Sequence, residues 1–183
     1  MKLKHILPIL LFVCAVQGAG AAEAVADTLR VYLVGDSTCA TKKLDKQNPE
    51  RGWGHMFQPL FDEAVVVENH ATNGRSTKSF RAEGRWARVC DRLRPGDYVF
   101  IQFGHNDQKI NDSTRYSTPA QYAENLRRYV HEARAKGATP VLLTPIVRRH
   151  FVDGVLTDTH TDYPDAMRRV AAEEGVVLID MEP

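Results

Sequence analysis

Five short apolar runs, at residues 29–34, 64–67, 98–103, 140–144 and 176–179, constrain this chain more than any other feature. Each is nearly continuous and rich in branched or aromatic residues, the pattern of a strand buried on both faces of a parallel sheet. Between them, apolar residues recur at helical spacing. Trp53, Met56, Phe57, Leu60 and Phe61 predict one helix, and Trp86, Val89, Cys90 and Leu93 another. Thr118, Pro119 and Gln121 supply the cap, first turn and capping box of the clearest helix, whose stripe of Tyr122, Leu126, Tyr129, Val130 and Ala133 runs to a stop at Gly137. A last helix is expected from about Tyr163-Pro164 to Gly175. Strand and helix in strict alternation predict an α/β fold with a doubly wound parallel sheet.

The chain has 183 residues, 43% of them hydrophobic, enough for one core. Residues 1–22 read as a signal peptide: Lys2, Lys4 and His5, an apolar stretch at 6–16, then the small residues Ala19-Gly20-Ala21-Ala22. That stretch is too short to span a bilayer. Residues 23–183 are therefore expected to form one secreted or periplasmic domain, without lipid anchoring at Cys14, since Val13 is bulky for that processing. With 24 basic and 23 acidic residues there is no global field to attract nucleic acid. Cys39 and Cys90 are compatible with a disulfide or with two small buried thiols, and without clustered histidines they make no zinc signature. No metal or other cofactor is expected, and the sequence leaves oligomeric state open.

Three polar clusters each follow a predicted strand: Gly35-Asp36-Ser37-Thr38, Asn73-Gly74-Arg75-Ser76 and Gly104-His105-Asn106-Asp107. With a strand order of 2-1-3 the three loops become neighbours at the carboxyl edge of the sheet, where such sheets bind ligands. Ser37 there is a candidate nucleophile, with Gly35 giving the close turn. The backbone N–H groups of Ser37 and Gly74 and the side-chain amide of Asn106 are candidate donors to an oxyanion. Asp36 and Asp107 are read as loop-ordering groups. Two long polar segments, 39–51 and 145–162, also lie at strand carboxyl ends, where loops build sites.

In these clusters the chain resembles the SGNH (GDSL-like) hydrolases, whose blocks carry Gly-Asp-Ser, a glycine after the second strand and Gly-x-Asn-Asp. It is most similar to the rhamnogalacturonan acetylesterases, through Val34-Gly35-Asp36-Ser37-Thr38, Gly52-Trp53-Gly54, Asn73-Gly74-Arg75-Ser76-Thr77-Lys78-Ser79-Phe80, Phe103-Gly104-His105-Asn106-Asp107 and Asp158-Thr159-His160. The likeness runs from Arg30 to Pro183. It implies a flavodoxin-like three-layer fold and removal of acetyl groups from a plant cell-wall pectin backbone through an acetyl-serine intermediate. Ser37 would be nucleophile, and Ser37, Gly74 and Asn106 the oxyanion hole. A general lipid or aryl esterase is the enzymatic alternative; a silent fragment or carbohydrate-binding protein of the same fold is the other.

The family's Asp-x-x-His block, which supplies the base and its orienting carboxylate, has no counterpart: no Asp stands three residues before any His. The sequence accordingly reads as shortened at its carboxyl end, lacking the last helix, with apolar sheet surface left exposed. Asp158-Thr159-His160 places His160 at the site rim by resemblance. His105 is read as holding its loop or contacting substrate, and Trp53 as stacking on sugar or packing in the core. Arg75, Lys78, Arg81, Arg148 and Arg149 form either a basic rim suited to galacturonate carboxylates or solvated surface charge.

Overall fold

The computed structural model describes residues 28–182, so the expected signal peptide and Cys14 lie outside the described residues. Five strands, β1 (Leu29–Gly35), β2 (Val65–Asn69), β3 (Tyr98–Gln102), β4 (Thr139–Leu143) and β7 (Val177–Ile179), form one parallel sheet in the order β2-β1-β3-β4-β7. Between β4 and β7 the short strands β5 (Phe151–Val152) and β6 (Val155–Leu156) pair antiparallel as a separate exposed hairpin. Every apolar run of the sequence became a strand of the main sheet, and β1 lies between β2 and β3 as the 2-1-3 order requires.

All four helices contribute to one core: α1 (Thr77–Ala82), α2 (Arg85–Cys90), α3 (Pro119–Ala135) and α4 (Tyr163–Glu174). Phe80, Trp86, Tyr122, Leu126, Tyr129 and Met167 pack there with Val34, Val99 and Ile101 of the sheet. Removing such side chains from water is worth roughly 1.5–3 kcal/mol each. The expected capping box opens α3, with Gln121 N donating to Thr118 Oγ1 and Thr118 N to Gln121 Oε1. A second box, Ser76 with Ser79, opens α1. Gly175 closes α4 in the left-handed conformation at φ 57°.

The other sheet face is covered differently from expectation. Residues 53–61 form two 3-10 turns, Trp53–Met56 and Gln58–Leu60, rather than one helix. Pro59 explains this, because its ring would clash with the carbonyl four residues earlier in a continuous α-helix. Met56 and Leu60 consequently face solvent, while Trp53 and Phe57 pack with Val31, Leu33, Cys39 and Phe100. At the β7 end of this face, Tyr98, Val177 and Ile179 are exposed. Cys39 and Cys90 are both free thiols, and burial raises the pKa of each.

Candidate active site

Ser37 is the second residue beyond β1, in a turn ordered by its neighbours. Asp36 is fully buried, and its Oδ1 accepts from Thr38 N and Thr38 Oγ1, both at 2.9 Å. Its carbonyl accepts from Ala40 N at 3.0 Å. Gly35 serves this turn by close approach rather than by bending the chain: it ends β1, and a Cβ there would lie 2.7 Å from the Gln102 carbonyl oxygen. Gly54 likewise lets the Trp53 segment press on the turn, since a Cβ would sit 2.7 Å from Cys39 O.

Beneath the turn lies Gln102, fully buried at the end of β3. Its Oε1 accepts from Trp53 Nε1 at 2.7 Å and lies 3.0 Å from Thr38 Oγ1, sharing that single hydroxyl hydrogen with Asp36 Oδ1, and its Nε2 donates to Thr144 O at 3.3 Å. One amide thus ties the nucleophile turn to the 53–56 turn and to the end of β4. Trp53 is placed by this bond and by its edge contact with Phe57, 5.5 Å between centroids, as a prop for the turn.

The second and third clusters are joined to each other. Asn106 is nearly buried, and its Nδ2 donates to Arg75 O at 3.0 Å. Asp107, completely buried, accepts from Thr77 N at 3.0 Å and from Thr77 Oγ1. Asn125 of α3 donates in turn to Thr77 Oγ1 at 3.0 Å. Burial pushes the Asp107 carboxyl up to about 7, with the Thr77 hydrogen bonds opposing that rise. Gly74 sits at φ 74°, a left-handed turn that favours glycine. Among the described residues, neither Ser37 N nor Gly74 N has a hydrogen-bond acceptor. The loops after β1, β2 and β3 thus carry two N–H groups without an acceptor and one held amide, the kinds of donor an oxyanion hole needs.

The histidines are arranged less simply. His105 Nδ1 lies 3.4 Å from Asp36 Oδ2, close enough for an ion pair when protonated but not aligned as a hydrogen bond, so both atoms count as unsatisfied. His160 is fully buried, in a segment that borders a cavity. Its ring meets His105 edge-on at 4.6 Å, and its Nδ1 is 3.1 Å from Glu182 Oε1. Among the described residues His160 Nε2 has no partner, and burial first, then the neighbouring His105 and Arg148, lowers its pKa to about 4. Arg148 clamps this region by donating to Thr159 O at 2.8 Å and His105 O at 3.3 Å. Ser37 Oγ has no hydrogen-bond partner among the described residues.

Asp158, His160 and Glu182 could each offer a donor atom to an ion, all within 4.8 Å of one another. Arg168 Nη2, 3.7 Å from Glu182 Oε2, already supplies positive charge there. The same three residues and Arg168 border a cavity of about 310 Å³ below the β5–β6 hairpin. Of the basic rim, Lys78 donates to Ser113 O, Arg81 is bound to Glu132, Arg75 to Glu83 and Arg148 to Thr159 O and His105 O, so four of the five cations are engaged internally. Gln102, Glu182 and the Thr77–Asp107 bond were not singled out in the sequence. For Gln102 a signal existed, as the lone amide in an otherwise apolar run.

Residues 33–183 match the model of the GDSL-like lipase/acylhydrolase family. The probable rhamnogalacturonan acetylesterase YesY of Bacillus subtilis is 43% identical over 152 residues, covering 82% of this chain and 69% of its own length. The rhamnogalacturonan acetylesterase RhgT of the same organism is 44% identical over 154 residues, covering 84% and 65%. The crystal structure of YxiM, also from Bacillus subtilis, superposes with a TM-score of 0.75 at 29% identity, over 84% of this chain and 43% of that one. The chain thus spans about two thirds of the length of the curated relatives it matches.

Proposed function

The chain belongs to the GDSL-like lipase/acylhydrolase family, and from that premise we propose that it is an exported serine acetylesterase acting on a pectin-like polysaccharide of the rhamnogalacturonan type. The observation that supports this reading is that Ser37 N and Gly74 N have no acceptor among the described residues and the Asn106 amide is anchored, on three loops that the β2-β1-β3 order makes neighbours. Ser37 Oγ attacks the acetyl carbonyl carbon, and the negative charge that moves to the carbonyl oxygen is received by Ser37 N–H, Gly74 N–H and Asn106 Nδ2. The sugar hydroxyl leaves with a proton, and water then cleaves the acetyl-serine to acetate. Residues 23–183 act as one esterase domain, and the names of the relatives at 43% and 44% identity support the substrate class.

A base must take the Ser37 proton. His160 has the pairing of an oriented base, a carboxylate on Nδ1 and a free Nε2, though its lowered pKa makes it a weak one. The unengaged Ser37 Oγ favours a second reading, a binder of acetylated polysaccharide that keeps the crevice without turnover. Labelling with a serine-directed fluorophosphonate separates the two. Modification of the Ser37 peptide, seen by mass spectrometry, is the expected result. A folded protein that resists the reagent at Ser37 supports the binder.

A further inference from the structure

Behind Gly74 lies a cleft of about 240 Å³, bordered by Arg75, Ser79, Glu83, Thr114 and Arg115. Arg115 comes from the loop between β3 and α3 and reaches across to the proposed oxyanion glycine. A Cβ at Gly74 would lie 3.5 Å from Arg115 Nη1, so the guanidinium rests against that turn. The loop is held for the purpose: Lys78 Nζ donates to Ser113 O at 2.7 Å, Arg115 N to Asp112 O at 3.0 Å and Ser117 N to Asp107 O at 3.0 Å.

The charges in the cleft do not cancel. Glu83 is already bound by both Arg75, at 3.1 Å, and Arg85, at 2.6 Å. Arg115 spends only Nε on Asp112 Oδ2, at 2.9 Å. Its Nη1 and Nη2 have no hydrogen-bond acceptor among the described residues. An open guanidinium edge matches a planar carboxylate better than a neutral sugar hydroxyl.

We infer that Arg115 is a specificity-determining residue, which seats a uronate carboxylate beside the acetylated sugar. The inference rests on the acetylesterase reading for its substrate, but its binding part can be tested separately. Arg115 is partly exposed, so solvent limits the effect to about tenfold.

Two measurements compare the full chain with Arg115→Gln and Arg115→Lys: selectivity, as the ratio of kcat/KM on acetylated rhamnogalacturonan to that on neutral acetylated xylan, and calorimetric affinity for unacetylated trigalacturonate. In Arg115→Gln the ratio and the affinity should each fall about tenfold, and Arg115→Lys, which keeps the charge without the fork, should recover part of both. If Arg115→Gln fails to fold, a loss of about threefold in Arg115→Lys carries the test. Changes below twofold in both readouts overturn the inference, as does an equal fall on both esters or a parent that does not bind trigalacturonate. If no ester is turned over while the affinity still falls, the inference stands and the acetylesterase reading fails.

Discussion

Asp36 Oδ2 lies 3.4 Å from His105 Nδ1, which couples the residue before the proposed nucleophile to the residue before a proposed oxyanion donor. Neither atom has another partner among the described residues, and the remaining Asp36 oxygen is spent on Thr38. The first and third site loops are therefore positioned relative to each other by one contact between buried groups. The second loop joins through Asn106 and Arg75, and the fourth through Arg148 and His105.

His105→Phe keeps an aromatic ring against His160 but leaves Asp36 without its facing nitrogen. A stability loss of up to about 1 kcal/mol is expected in urea unfolding, because Asp36 Oδ2 already lacks a hydrogen bond in the parent and loses only a close electrostatic contact. Turnover should fall with it, because the Asn106 loop loosens. A variant as stable and as fast as the parent would show that the contact is incidental.

Asn106→Ala removes both a proposed oxyanion donor and the tie to Arg75 O. Turnover on any acetyl ester should drop by about 10²–10³-fold, the scale of losing one such donor. A change under twofold in kcat removes Asn106 from the mechanism.

Asp107 and His160 give folding stability opposite pH slopes. Folded Asp107 keeps its proton up to about pH 7 against an ordinary value of 3.8, so its contribution is full below 3.8 and is lost as pH rises through 7. Folded His160 resists its proton down to about pH 4 against an ordinary 6.5, so its contribution is present above 6.5 and is lost as pH falls through 4. Asp107→Asn can still accept from Thr77 while removing the first effect. Its stability relative to the parent should therefore climb between pH 4 and 7 in unfolding curves, and a flat difference would contradict the shifted carboxyl.

The sheet was legible because strands buried on both faces must be apolar at consecutive positions, a pattern visible without any partner strand. Ser37, Gly74 and Asn106 were legible as a set because three polar clusters each follow such a run, and the order β2-β1-β3 makes those clusters neighbours. Residues 53–61 misled because their apolar spacing is helical while Pro59 forbids the helix. The bond from Thr77 to Asp107 joins residues 30 positions apart, and nothing local in either segment announces it. His160 was placed at the rim by resemblance alone; its burial and its edge contact with His105 depend on a residue 55 positions away, and nothing local in its loop announces them.

Acetate release from acetylated rhamnogalacturonan, measured for the chain and for Ser37→Ala, tests the proposed activity most directly. Ser37 makes no side-chain hydrogen bond among the described residues, so the alanine variant should fold with stability within about 0.5 kcal/mol of the parent. Release by the parent and none by that folded variant is the predicted result. Equal release by both, or none by a folded parent, would contradict a serine esterase built on Ser37.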